Sequence, residues 1–179
     1  GPMGAGGPGL VRRDPGAIGM SELEGMEAGE HLAVYNLLVT QLQEGCRWVE
    51  RWRTWQGDPD DVRPWSSGDC PGVQLVPQLV DDGWQDPATF RGRLVVAVGI
   101  ALETYDVREA GRAWRAIKRV FYPDTVAARE DVRRAIMEKA TGLSAGLVEF
   151  KGLTYTPPAA GALFIARGTL SVVVNEQLS

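Results

Sequence analysis

The sequence predicts an α+β fold in which one mixed or antiparallel sheet of about four to five strands packs against two to three helices. Three patterns support this prediction. Bulky apolar residues alternate strictly with small ones over residues 94–102, which is the period of a strand. Apolar residues recur at helical spacing over residues 106–121, and shorter alternating segments follow in the last third of the chain.

The composition indicates an ordinary globular domain. The chain has 179 residues, enough for one domain with a substantial core. Nineteen basic and 23 acidic residues leave a net charge of −4, which gives no global positive field to attract nucleic acid or an anionic membrane. No apolar run reaches the roughly 20 residues of a membrane helix. Two cysteines, Cys46 and Cys70, are too few for a disulfide framework and are expected to be reduced and buried.

Residues 1–28 are expected to form a disordered tail, because residues 4–19 are rich in glycine and proline and offer little to bury. Gly1-Pro2-Met3 is typical of the remnant of a protease-cleaved expression tag, which leaves Met3 or Met20 as the natural start. The N-terminus has no signal-peptide pattern, so we expect the protein to mature in the cytoplasm. Residues 29–179 are predicted to form a single domain.

The first part of that domain is predicted to be helical. Apolar side chains recur at three- and four-residue steps over residues 32–46, which predicts the first helix. Trp48, Trp52 and Trp55 then repeat at i, i+4 and i+7 with arginines between them. This spacing predicts a second helical turn or two after Gly45.

A loop and two strands are predicted next. Residues 57–72 are dense in turn formers and predict a long loop, and residues 73–79 predict a strand that Pro77 places at a sheet edge or a bulge. Asp81-Asp82-Gly83 is expected to form the turn that follows. The clearest strand of the chain is predicted over residues 93–104, and its two apolar rows favour a central position with helices on at least one face.

The last third is predicted to contain two helices and two strands. A helix over residues 106–121 is stopped by a proline, and a second helix over residues 126–140 is ended by Gly142. Residues 147–155 and 162–174 predict an antiparallel pair of strands joined by a connector containing two prolines.

Catalytic and metal-binding patterns are scarce, and no cofactor is expected. The single histidine, His31, is interpreted as an exposed residue near the terminus, since no serine or cysteine nucleophile stands at a recognisable spacing. No phosphate-binding glycine motif lies between a strand and a helix. Glu103 and Asp106 follow the central strand, where carboxylates of enzymes often lie, but Asp106 is equally placed to cap the next helix. A small enzyme or ligand-binding domain that uses these two acids remains an alternative.

Two features indicate protein interfaces. Tryptophan and arginine, the residue types of residues 47–55, are enriched in interface hot spots, although a core stripe of the three tryptophans explains the same pattern. The helix over residues 106–121 also carries an arginine face with only Glu109 spaced to neutralise it. A solvated face, a carboxylate-bearing partner and a phosphate backbone all fit this face. Its members are Arg108, Arg112, Arg115 and Arg119.

The order of these elements resembles the minor tail, tail-completion and tail-terminator proteins of long-tailed bacteriophages over about residues 30–176. The segments that carry the resemblance are the Pro-flanked strand around residues 70–77, the central strand ending at Tyr105, the Trp-containing helix and the closing segment from Ala166. The resemblance implies a virion protein of the tail or neck that forms a hexameric ring, caps the tail tube and joins it to the head-side connector or stopper protein.

In that family, nucleic acid meets the ring only by passing through it, and assembly takes place in the host cytoplasm. A closing ring needs two different complementary patches. The arginine face and an acidic segment, either Asp58–Asp61 or Asp81 and Asp82, are the candidates for these patches. Another head–tail joining subunit is the closest alternative role.

Overall fold

The computed structural model describes residues 20–26, 28–86, 88–139 and 148–177, and the side chains of residues 20, 21, 81–86, 139 and 177 lie outside the described part. Two short 3-10 turns interrupt the loop that precedes the second strand. The elements are helices α1 (Met20–Leu23), α2 (Glu30–Gly45), α3 (Val107–Phe121) and α4 (Val126–Lys139), strands β1 (Arg51–Arg53), β2 (Gly72–Asp86), β3 (Thr89–Leu102), β4 (Glu149–Tyr155) and β5 (Phe164–Gln177), and 3-10 turns Pro59–Val62 and Ser67–Asp69.

The five strands form one mixed sheet in the order β1-β2-β3-β5-β4. Strand β1 runs parallel to β2, and every other pair is antiparallel. This architecture confirms the predicted α+β class. The segment predicted as a tail lies outside the described residues up to residue 19, and its described part contains the single helical turn α1.

Strand β3 is the central strand, as its alternation predicts. Its even-numbered row from Leu94 to Leu102 is buried. In β5 the even-numbered row continues this buried surface, because Leu94 pairs with Val172 and Ile100 pairs with Ala166. Residues that pair across strands point to the same face of a sheet, so one face of β3 and β5 forms the core.

Helices α2 and α3 cover that face. The buried side of α2 includes Tyr35, Leu38 and Leu42, and it joins the core formed by β2, β3 and β5. Helix α3 buries Trp114, whose ring meets Phe150 of β4 edge to face at a centroid distance of 5.5 Å. In the described part of the chain, the opposite face of the sheet contributes no side chain to the buried apolar core cluster. The sheet therefore has a covered face and an open face.

Two helices begin at side-chain caps, and the cap at Asp106 is in its predicted place. Asp106 accepts hydrogen bonds from the backbone N–H groups of Arg108, at 3.0 Å, and Glu109, at 3.2 Å. Thr125 Oγ1 accepts one from the backbone N–H of Ala128 at 3.2 Å, at the start of α4. These bonds satisfy helix N–H groups that have no partner within the helix. The predicted end of α4 at Gly142 lies outside the described residues.

The helical prediction for the tryptophan segment is wrong. Helix α2 ends at Gly45, and Arg51–Arg53 pair in parallel with Gly72–Gln74. In a strand, alternate residues point to opposite faces. Trp52 therefore points to the covered face with its partner Val73, and the two arginines point to the open face. The backbone bonds to β2 override the helical spacing of the three tryptophans.

The turn predicted at Asp81-Asp82-Gly83 is also wrong, because these residues belong to β2. The strand continues to Asp86, and its pairing with β3 shifts register between Asp81 and Gly83 and again near its end. Such bulges extend a strand past turn-forming residues. Pro77 lies beyond the pairing of β2 with β1, which ends at Gln74, so its edge position is confirmed among the described strands.

His31 is not an exposed terminal residue, which corrects the sequence interpretation. Its side chain is only 20% exposed, and its ring Nδ1 contacts a carboxylate oxygen of Glu176. The backbone N–H of His31 donates to the same oxygen at 3.0 Å. These contacts attach the first turn of α2 to the end of β5, and His31 has a structural role there.

Packing of Trp114 against the sheet requires a glycine at position 168. A Cβ atom on Gly168 would lie 2.7 Å from Trp114 Cη2 and would also meet the carbonyl oxygen of Gly152. We expect Gly168→Ala to lower the free energy of unfolding by about 1–3 kcal/mol, because a well-packed core resists added volume. Urea denaturation measures the change. Gly99→Ala is the matched control, since its Cβ would meet neighbours at an ordinary 3.5 Å, and an equal loss in both variants would contradict this account.

Candidate interaction surfaces

The loop between β1 and β2 is organised around the buried guanidinium of Arg53. Its Cζ lies 3.8 Å from the ring centroid of Trp65, in cation–π contact. Its Nη1 donates to the backbone oxygen of Arg63, and its Nη2 donates to that of Pro64 at 3.4 Å and lies 3.8 Å from Asp69 Oδ2. One side chain that is 2% exposed therefore binds the middle and the end of the loop.

Trp65 and Asp69 are held in turn by their neighbours. A Cβ on Gly72 would lie 2.8 Å from Trp65 Cη2, so the ring rests directly on the strand backbone. The Ser66 backbone N–H donates to Asp69 at 3.0 Å and is the main cause of the lowered pKa of Asp69, to which Arg53 adds. Burial lowers the pKa of Arg53, and Asp69 opposes that shift. The loop is thus packed onto one end of the open face.

Trp55 has an unusual backbone conformation. It is the one non-glycine residue with positive φ in the described chain, at 55°, where a side chain costs about 1–2 kcal/mol. Its backbone N–H donates at 2.8 Å to Asp61, a carboxylate only 3% exposed. Yet the Trp55 side chain is 41% exposed, and the nearby Val62 is 71% exposed. A buried charge therefore stabilises a strained turn whose apolar side chains face solvent.

The other end of this turn is joined to the core. Tyr35 of α2 donates its hydroxyl to the backbone oxygens of Thr54 and Leu75, which lie side by side where β1 ends. Burial raises the pKa of Tyr35 well above its usual range, with a smaller contribution from Asp61. The hydroxyl stays protonated and can remain a donor. The turn at Trp55 is therefore anchored from both sides.

The acidic segment Asp58–Asp61 is partly neutralised within the chain. Arg51 Nη2 lies 3.8 Å from Asp58 and 3.4 Å from Asp60, and Arg63 Nε lies 3.1 Å from Asp60. Asp58 and Asp60 remain exposed, so they still present carboxylates to a neighbour. Asp61 is buried and does not contribute to an acidic surface. The side chains of the other predicted acidic pair, Asp81 and Asp82, lie outside the described part.

The predicted arginine face is present on α3, and it points directly away from the buried side of the helix. All four arginines are exposed. Arg119 pairs with Asp124 through two bonds of 2.9 and 3.0 Å, so the expectation that only Glu109 could neutralise this face is wrong for one member. Asp124 lies after the end of α3, so residue spacing within the helix could not predict this ion pair. No ion pair joins Arg108, Arg112 or Arg115 to a carboxylate among the described side chains.

A groove of about 240 Å³ lies beside the arginine face. Its apolar lining is formed by the Trp48 ring, Pro71 and Leu102 together with two small residues of α3, and Arg112 and Glu109 stand at its rim. The small residues are Ala113 and Ala116. An apolar floor with charged groups at the rim is typical of a protein-binding pocket. Trp48 and Arg112, which the sequence predicts as interface candidates, therefore line the same groove.

The three tryptophans occupy different environments. Trp48 and Trp52 are half-buried and pack against the core, whereas Trp55 is exposed. The core interpretation therefore holds for the first two residues, and the interface interpretation remains open for Trp55 and for the groove side of Trp48. Sequence spacing alone could not separate them, because it placed all three on one helical face.

Glu103 and Asp106 lie in different surroundings. Asp106 caps α3, whereas Glu103 lines a second groove with Glu109, Thr104 and Cys70. Burial raises the pKa of Cys70, and the carboxylates of Asp69 and Glu103 raise it further. A thiol in such surroundings is a poor nucleophile, since the thiolate is the reactive form.

Among the described residues, no group of three or more histidine, cysteine, aspartate or glutamate side chains is arranged to hold a metal ion. Within the same residues, no helix is both long and apolar enough to cross a bilayer. No model of a known protein family matches the chain, and no curated protein sequence matches it.

The burial of Arg53 and Asp61 could not be predicted from the sequence. Charged residues in a turn-rich loop are expected to be exposed, and nothing in their spacing indicates burial. The only signal in the sequence is the tryptophan at position 65, a ring on which an arginine can stack.

Loss of the Arg53 guanidinium should loosen the whole loop. Arg53→Met keeps most of the volume but leaves the carbonyls of Arg63 and Pro64 and the carboxylate of Asp69 without a buried donor. We expect the free energy of unfolding to fall by about 2–4 kcal/mol in urea denaturation. Arg63→Met is the control, because that side chain is 54% exposed and should change stability by less than about 0.5 kcal/mol. Similar stability of both variants would refute the organising role of Arg53.

The two thiols should differ in reactivity. Cys46 is fully buried, and burial raises its pKa to about 11. Cys70 is half-buried and has a raised pKa. At mildly alkaline pH, a thiol-reactive disulfide reagent should modify Cys70 slowly and Cys46 only after denaturation. Mass mapping that finds Cys46 modified in the folded protein would contradict this assignment.

Proposed function

We propose that this protein is a non-enzymatic structural subunit that assembles with copies of itself into a closed ring, and that it acts as a tail terminator of a long-tailed bacteriophage. In that role the ring caps the tail tube and binds the head-side connector. The observation that supports self-assembly best is Trp55, which a buried carboxylate holds exposed in a left-handed conformation. The phage role is supported by the resemblance in the order and texture of the elements.

An exposed and strained tryptophan is well suited to a contact. Local strain persists only where the surrounding structure enforces it, and it is common at binding sites. Tryptophan is also among the residues that contribute most to binding when a partner covers them. Val62, which is 71% exposed, follows the buried Asp61 and adds apolar area to the same turn. The turn at Trp55 and Val62 is here called the anchor turn.

The groove beside α3 offers a matching surface on a second copy. Its apolar lining of Trp48, Ala113 and Ala116 can receive the anchor turn, and Arg112 at the rim can then pair with the exposed Asp58 and Asp60 that flank the turn. Burial of apolar area supplies the affinity, and the charges fix the orientation. Because the anchor turn and the groove are different patches, the contact is heterologous, which is the kind that closes into a ring.

Pairing of sheet edges is a poorer route to assembly. The free part of β2 contains Pro77 and two register irregularities, and β4 at the other edge contains a bulge between Lys151 and Leu153. Proline, bulges and lysine are the devices by which edge strands avoid pairing with other chains. Subunit contacts through side chains of the loop and of α3 are therefore favoured over a continuous intermolecular sheet.

The proposal is tested by the mass of the protein in solution. At tens of micromolar, sedimentation velocity should show an oligomer, and electron microscopy of the same sample should show closed rings. Val62→Ser should weaken each contact about tenfold or more, since it places a polar group in an apolar groove. The matched control is Val126→Ser, because Val126 is also 71% exposed and lies on α4, outside the proposed contact.

The outcomes are distinct. A wild-type protein that remains monomeric at these concentrations, alone and when mixed with preformed tail tubes, would contradict self-assembly. An oligomer that both valine variants leave unchanged would instead exclude the anchor turn as the contact. Trp55→Gly adds a check on folding, since glycine tolerates positive φ and should retain the melting temperature while assembly is lost.

A further inference from the structure

Among the described side chains of strands β2 to β5, those on the open face of the sheet carry more positive than negative charge. The cross-strand register places the odd-numbered residues of β3 and β5 on this face, together with their partners on β2 and β4. Its described charged side chains outside β1 are one acid, Glu149, and four cations. The cations are Arg91, Arg93, Lys151 and Arg167. The net charge of the whole chain is −4.

A shallow trough of about 460 Å³ crosses the middle of this face. Its floor is made by Ala97 and Gly99 of β3, which have almost no side chain to fill it. Lys151 and Arg167 stand on one side, and both are exposed. Neither forms an ion pair with a carboxylate among the described side chains.

Uncharged donors complete the trough. The hydroxyls of Thr154 and Thr169 and the amide of Gln74 line it. Hydroxyl, amide, ammonium and guanidinium groups are the side-chain donors that bind phosphate oxygens of nucleic acids. A carboxylate-lined protein would also be attracted to the cations. The spacing of the cations along the strands favours a regular polyanion instead.

The cations extend along the strands. Arg91 pairs with Asn175 and Gly99 pairs with Arg167, so Arg91 and Arg167 are eight residues apart in register. At about 3.3 Å per residue this is about 26 Å, the length of about eight base pairs. A single phosphate ion occupies only one end of such a row. A regular polyanion with closely spaced charges can meet both ends at once.

We propose that the open face of the sheet binds the phosphate backbone of duplex nucleic acid, with Lys151 and Arg167 at the trough and Arg91 at the far end. None of the described side chains that β2 to β5 place on this face is aromatic, and the Trp65 ring at one end of the face is already stacked on Arg53. The strands therefore offer bases no ring to stack on, and the binding is independent of sequence and favours the higher charge density of a duplex over a single strand. This inference does not depend on the assembly proposal.

The test measures fluorescence anisotropy of a labelled mixed-sequence DNA duplex with the full-length protein at low salt. Binding of about three to four phosphates gives a plot of log K against log salt with a slope of about −3. Lys151→Gln combined with Arg167→Gln should lower the affinity at least tenfold and reduce the slope by about 2. The single strand of the same sequence should bind more weakly than the duplex, and a scrambled duplex should bind equally well.

Arg108→Gln combined with Arg115→Gln is the matched control, since it removes the same charge from the exposed face of α3. The affinity of this variant should stay within about twofold of wild type, because these two arginines lie on another surface and make none of the proposed phosphate contacts. Circular dichroism melting confirms that both double variants are folded. The proposal is overturned by undetectable duplex binding at low salt, by equal losses in the two double variants, or by poly-glutamate that competes as well as DNA. The last result would identify an acidic protein surface as the occupant.

Discussion

The burial of one row of β3 side chains is the constraint on which the rest of the structure depends. The even-numbered residues from Leu94 to Leu102 form the centre of the core, and α2 and α3 cover them from one side. The other row is made of small residues and half-exposed valine. A strand of this kind builds a sheet with a single covered face, and so the architecture itself leaves a large open face available for contacts.

A second constraint converts a turn-rich segment into a folded surface. Arg53 and Asp61 are charged residues with almost no exposure, and each is buried against partners from the loop. Buried charges stabilise a fold weakly compared with apolar side chains of the same size, but they specify one arrangement of their partners. Here that arrangement places Trp65 against the sheet and leaves Trp55 and Val62 exposed. The charges therefore hold these apolar residues in fixed positions on the surface.

The sequence predicted those parts of the fold that depend on local periodicity. The two side-chain rows of β3, the apolar side of α3 and the cap at Asp106 could all be predicted, because alternation, helical spacing and capping act within a few residues. The strand at Arg51–Arg53 and the continuation of β2 through Asp81 depend on pairing with distant strands, which local patterns cannot show. The open face was equally hidden, since its cations come from β3, β4 and β5 and meet only in the sheet.

We propose that the anchor turn of one subunit enters the groove of the next. Disulfide formation between Val62→Cys and Ala116→Cys, each in a Cys70→Ser background, tests it most directly, because the two cysteines reside in separate chains that are mixed before oxidation. The account predicts a covalent heterodimer in the mixture and a ladder of bands from the variant that carries both cysteines. A mixture that stays monomeric while the wild-type protein forms oligomers would contradict it.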